Sequence, residues 1–178
     1  MGLFDKLMGR ELPERRDART VYFRLLEQAR TPGFFGPGRF ADDYDGRIDV
    51  ITLHMAVMMM RLRSEGEDGD LLRQALFDEM KDDFEIALRE EGISDTGVKK
   101  RIKPMIGHFY DRLKAYTDAI ESPDPRARLS ESILTADETE TPLGFKQTVA
   151  DYALGLLDML KDTSLDLITS GKFYFPEV

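Results

Sequence analysis

The stretch Gly46-Arg-Ile-Asp-Val-Ile-Thr-Leu-His-Met-Ala-Val-Met-Met-Met-Arg-Leu-Arg-Ser64 decides the fold. Its residues Ile48, Ile51, Met55, Met58 and Leu62 recur in steps of 3, 4, 3 and 4, which is one face of an α-helix. Val50, Leu53, Val57 and Met60 fill much of the remaining circumference. A helix that is apolar on most sides is buried on most sides, so other helices must surround it.

The flanking sequence supplies those helices. Upstream, the pattern predicts a helix over about Pro13 to Arg30, with Val21, Tyr22, Leu25 and Leu26 inward. Thr31 to Phe40 is too rich in Gly and Pro to be helical, yet it holds Phe34, Phe35 and Phe40, so the loop is expected to pack down. Downstream, Glu65 to Gly69 reads as a solvated turn and Asp70 to Glu91 as a third helix stopped at Gly92. Ser94 or Asp95 caps a fourth helix running to about Glu121, with a kink at Pro104 or a start of the regular helix near Lys103. A short helix is expected from Arg126 to Leu134, a long one from about Pro142 to Asp162, and one more turn over Leu165 to Ile168. The apolar tail Phe173-Tyr-Phe-Pro176 should pack on something. No stretch shows sustained strand alternation. The expectation is an all-α, compact helical bundle of about six to seven helices, forming one domain over 1–178. It divides into an amphipathic segment over 1–12, a helical core over 14–121 and C-terminal helices over 122–178. Leu3, Phe4, Leu7 and Met8 share one side of the first segment, whose default reading is docking onto its own core.

Composition narrows the function. The 34 acidic and 25 basic residues leave a net charge of -9, which argues against nucleic acid and against generic attraction to anionic lipid. The absence of cysteine removes disulfides, thiolate metal sites and a thiol nucleophile. No apolar run approaches the roughly 20 residues that span a bilayer, and the first residues lack the pattern of a signal peptide.

No catalytic constellation is present: neither a P-loop, GxGxxG, GxSxG nor HExxH occurs. Neither His54 nor His108 follows a Glu by three residues, as a di-iron bundle requires. Asp42, Asp43, Asp45 and Asp49 resemble a calcium loop in composition but not in spacing, and helix capping accounts for them better. No cofactor and no metal is expected.

Three polar placements stand out. Arg47, His54 and Arg61 lie seven residues apart on one side of the central helix, either as satisfied groups at a helix interface or as a cationic stripe lining a groove. Asp83 projects with Leu76, Met80 and Ala87 into an apolar face, so it needs a partner, expected among Arg47, His54, Arg61 and Arg112. Asp78, Asp82, Glu85 and Arg89 form a charged ridge, read as a solvated face or as a docking edge. Met55, Met58, Met59 and Met60 crowd two turns, either as core filler or as a soft apolar groove for a client segment.

Several of these residues also carry a resemblance. Asp45-Gly46-Arg47 with Leu53-His54 and Arg61-Leu62 resembles the ubiquinol–cytochrome c chaperone family. So do Ala75-Leu76-Phe77-Asp78, Asp83, Leu88-Arg89-Glu90, Gly92-Ile93, Asp95, Val98, Met105, Phe109-Tyr110, Arg112 and Tyr116, and the opening Tyr22 to Arg30 with Pro32 and Phe35. The likeness covers about Thr20 to Ile120. It implies an all-helical assembly factor for the cytochrome bc1 complex, binding newly made cytochrome b near the inner membrane, with a small helper protein and no catalytic residues. Arg47, His54, Asp83, Arg89, Asp95 and Arg112 are then candidates for fold or client contact.

The resulting expectation is a cytoplasmic, membrane-peripheral assembly chaperone whose client is a membrane protein, cytochrome b. The candidate client-binding residues are Arg47, His54, Met55, Met58, Met59, Asp83, Arg89, Arg112, Phe34 and Phe35. The rival readings are a helical scaffold that binds a soluble partner through the charged ridge, and a metal-binding bundle enzyme using Asp83 with His54.

Overall fold

A computed structural model describes residues 13–142 and 144–178; the amphipathic reading of 1–12 lies outside the described residues. Among the described residues the architecture is all-helical. Seven α-helices follow in order: α1 (Pro13–Ala29), α2 (Tyr44–Leu62), α3 (Gly66–Glu90), α4 (Asp95–Ile120), α5 (Pro125–Ser132), α6 (Phe145–Lys161) and α7 (Leu165–Thr169).

The apolar circumference of α2 makes it the axis. Fourteen of its nineteen residues are buried, and it packs against α1, α3, α4 and α6. Asp43 starts it by accepting a hydrogen bond from the amide of Gly46, so this member of the aspartate cluster is a cap, as its spacing suggested. The outer helices pair with one another: α1 lies on α3, α5 on α4 and α6, and α7 on α1. One buried apolar cluster runs from Ala18 on α1 to Phe173 in the tail.

The boundaries differ from the sequence reading at two places. The expected turn at Glu65 to Gly69 is instead a single 3-10 turn, Arg63–Glu65, followed at once by α3. Gly69 is helical, and the end of α2 comes so close that a Cβ there would lie 2.0 Å from the carbonyl oxygen of Leu62. Gly69 thus serves close packing, whereas Gly66, at φ +60°, supplies the turn into α3. Pro104 sits inside α4, which is continuous from Asp95, so the regular helix does not begin near Lys103.

The Gly/Pro loop is packed down. Phe34 and Phe40 are fully buried, and the carbonyl of Arg39 accepts the amide of Ala136 at 2.8 Å, fixing the loop to the polar connection before α6. Burial of its aromatic rings offsets the entropy of ordering a segment without regular structure.

Candidate binding groove

Polar groups inside the bundle are there to join helices. His54 is fully buried on α2. Its Nδ1 lies 2.8 Å from the carbonyl of Val50, which accepts only, so Nδ1 carries the proton. Nε2 then accepts from the hydroxyl of Tyr152 on α6 at 2.7 Å. Burial pushes the imidazole pKa down to about 4, which keeps the ring neutral. Arg61, one face-repeat further along, is also buried and donates Nε to the carbonyl of Leu160 at 2.7 Å and Nη2 to that of Thr163 at 2.9 Å. It satisfies the open carbonyls at the end of α6 and complements that end's negative dipole.

Two acids are buried, Glu79, paired with Arg15 and Arg19 of α1, and Asp49. Asp49 is 3% exposed, and its Oδ1 accepts from Arg112 Nε at 2.9 Å and lies 2.9 Å from His108 Nε2. Burial raises the carboxyl pKa, and Arg112 and His108 oppose the rise. Arg112 also reaches the Tyr116 hydroxyl at 2.9 Å. Sequence reading missed this pair because Asp49 stands in a run of aspartates that reads as capping. Asp83, by contrast, accepts from the hydroxyl of Tyr22 at 2.8 Å. Its partner is thus a tyrosine of α1 and not one of the expected cations, a correction of the sequence reading.

An apolar recess of about 130 Å³ opens where the end of α1, the start of α2 and the facing turns of α3 and α4 meet. Its wall is Leu26, Ala29, Ile48, Ile51, Phe84, Ala87 and Met105, with Arg30, Tyr44, Arg47 and Asp83 among its polar lining. A more open trough of about 410 Å³ shares Tyr44 and Met105 with it and continues along Leu88, Pro104, Arg101 and His108. Together they form one groove with an apolar floor and a mixed polar rim, Arg30, Arg47 and Arg101 beside Asp45 and Asp83. Arg47 is held at that rim by an ion pair with Asp42 at 2.7 Å, with its guanidinium 5.5 Å from the Phe35 ring.

The groove brings together only part of the expected set. Arg47 and Asp83 line it, and Phe35 supports Arg47. Met55, Met58, His54 and Phe34 have no exposed surface, Met59 is packed against the core and Arg112 holds Asp49, so none of these reaches the groove. Met55 and Met58 are core, Met59 and Met60 are half-buried against it, and the methionine of the groove is Met105. Arg47, His54 and Arg61 therefore do not form a cationic stripe: the last two are satisfied at helix interfaces. Arg89 lies on the exposed ridge, paired with Glu85 at 3.1 Å and Asp95 at 3.5 Å. Tyr44, 43% exposed, and the rim cations Arg30 and Arg101 were missed, because only the tertiary crossing of α1, α2 and α4 places them at one opening.

Such a site can hold an apolar segment. Among the described residues no group of three His, Cys, Asp or Glu side chains is placed to hold a metal ion. No helix among them is long and apolar enough to cross a membrane.

Comparison with known proteins agrees with the fold. The crystal structure of the Cbp3 homolog from Brucella abortus superposes with a TM-score of 0.70 at 26% identity, over 98% of this chain and 95% of that one. Ubiquinol-cytochrome c reductase complex assembly factor 1 of Homo sapiens is 24% identical over 104 residues, which is 58% of this chain. The alignment spans about a third of that relative's length, 35%. The family model described as "Ubiquinol-cytochrome C chaperone" matches residues 39–175, from the end of the aromatic loop to the tail. With that match over most of its length and a bundle shared with the bacterial homolog, the chain belongs to the ubiquinol–cytochrome c chaperone family, a family of assembly factors and not of enzymes.

Proposed function

We propose that this protein is an assembly chaperone for the cytochrome bc1 complex and that it holds newly made cytochrome b through the groove between α1, α2, α3 and α4. The observation that carries the reading is an open apolar floor, with Met105 at its centre, in a chaperone-family fold. A client made of membrane-spanning helices presents long apolar surface before insertion. A holder needs a matching apolar strip that is adaptable and not sealed, and methionine supplies adaptability. The net charge of -9 keeps the holder from self-association and favours the positively charged loops that flank membrane helices. Action at the cytoplasmic face of the membrane, by transient peripheral contact, and a small helper protein both fit this role.

The test has two parts. A strain lacking the protein should lose cytochrome b and the bc1 absorption spectrum, and a photo-crosslinking residue at Met105 should capture cytochrome b during its synthesis. Normal cytochrome b levels in the deletion strain would refute the assembly role. Capture from the α5 surface but not from Met105 would refute the groove.

A further inference from the structure

One segment of the surface runs against the charge of the whole. Thr96 to Tyr110 on α4 contains Lys99, Lys100, Arg101 and Lys103 and no acidic residue, in a chain whose net charge is -9. All four cations are exposed. Elsewhere surface arginines close ion pairs, as Arg63 does with Glu121, Arg89 with Glu85 and Arg126 with Asp151. Among the described residues none of these four cations is in an ion pair. Lys99, Lys103 and Tyr110 follow one another at spacings of four and seven, so they stand on one side of α4. That side faces solvent: Tyr110 is 51% exposed, with its ring 5.3 Å from that of Phe77 on α3. Half-buried Ile102 and Ile106 border it. Arg101 and Pro104, on the other flank, line the trough with Met105. The basic face and the groove mouth therefore share the same turns of α4.

We propose that this face of α4 binds a bilayer surface containing anionic lipid. Four cations within five residues is the density that attracts anionic headgroups. Lysine stems reach outward over the bordering isoleucines, and an exposed tyrosine suits the headgroup layer, apolar at its ring and polar at its hydroxyl. A nucleic acid would need a longer basic track along its backbone. Here the run is bounded by Asp95 before it and Asp111 after it. The acidic remainder of the chain is repelled by the same membrane, so contact through α4 fixes one orientation. With the groove read as the client site, on which this last step rests, its mouth opens at the headgroup layer.

Flotation of the full chain, without any client, tests the contact. The protein should float with vesicles of phosphatidylcholine and phosphatidylglycerol and not with phosphatidylcholine alone. Lys99→Gln with Lys100→Gln and Lys103→Gln should lower the bound-to-free ratio at least ~10-fold at low salt. Arg128→Gln with Lys161→Gln and Lys172→Gln, which removes the same charge elsewhere, should leave it within about twofold, and high salt should release the native chain. The chain has no tryptophan, so Tyr110→Trp provides a single reporter. Its emission should shift to the blue on adding the phosphatidylglycerol vesicles. Equal losses in the two triple variants, or flotation with no shift at position 110, would overturn the proposal. So would retention of a single-stranded RNA by the native chain but not by the α4 variant, with no vesicle binding. Vesicle binding without capture of cytochrome b at Met105 would sink the groove reading and leave the lipid face standing; capture without vesicle binding would do the reverse.

Discussion

Asp49 on α2 and Arg112 on α4, 63 residues apart in sequence, meet at 2.9 Å beneath the trough that leads into the groove. With His108 on the same carboxylate oxygen, the contact adds a directional polar link between two helices that otherwise meet through apolar packing.

Replacing Arg112 by Met should therefore cost up to about 3–5 kcal/mol, since it leaves the buried Asp49 carboxylate with His108 as its remaining side-chain partner. Adding Asp49→Asn to that variant should recover a large share. Chemical denaturation of the two single variants and the double variant measures the coupling. Additive losses would show that the pair does not act as a unit.

Acidification should loosen the bundle through His54. In the unfolded chain this imidazole takes up a proton below about pH 6.5, whereas in the fold it resists until about pH 4. The folded pKa is lowered, so stability is complete above the unfolded value and falls as the pH drops from 6.5 towards 4. The loss attributable to this one group is roughly 3 kcal/mol at the bottom of that window. His54→Gln, which retains a partner for Tyr152, should flatten the pH dependence of the melting temperature between pH 7 and 5. An unchanged slope would show that other groups dominate.

Gly46 in the first turn of α2 should not tolerate a side chain. A Cβ at this position would stand 2.0 Å from the carbonyl oxygen of Ala41. Gly46→Ala should lower stability by about 1–3 kcal/mol through overpacking. The move would also displace Tyr44 and Arg47 at the groove opening, so client capture at Met105 should fall with it.

Filling the recess should separate binding from folding. Ala87 is partly exposed in the wall. Ala87→Arg should keep the thermal midpoint within a few degrees while reducing cytochrome b crosslinking by about 10-fold, the effect of losing ~1.4 kcal/mol. Full crosslinking with a closed recess would move the client to another face.

How far the sequence could be read depended on the range of the interaction. The period of Ile48 to Leu62 identified α2 and its central place, and Ser94 and Gly92 marked the break before α4. These signals are local. The partners of these acids were misassigned because choosing between buried Asp49 and half-buried Asp83 requires knowing which side chains each one faces. Both acids occupy helical positions with apolar neighbours; α4 brings Arg112 and His108 to the first, and α1 brings Tyr22 to the second. The methionine run was read for both filler and groove, and the packing of α1, α3, α4 and α6 around α2 makes Met55 and Met58 filler while Met59 and Met60 stay half-buried. The groove itself is a property of crossing helices, so Met105 and Tyr44 could be named as residues but not placed together.

The His54 ring has a further consequence for how the chain is made. It touches Phe34 from the loop, Tyr152 from α6 and Phe175 from the tail, with centroids 5.5, 5.5 and 6.1 Å away. Phe175 is translated 121 residues after the histidine it shields. During synthesis the imidazole must stay wet until that last aromatic emerges, so the nascent chain cannot seal its centre early. The finished centre therefore closes only after Phe175 has left the ribosome.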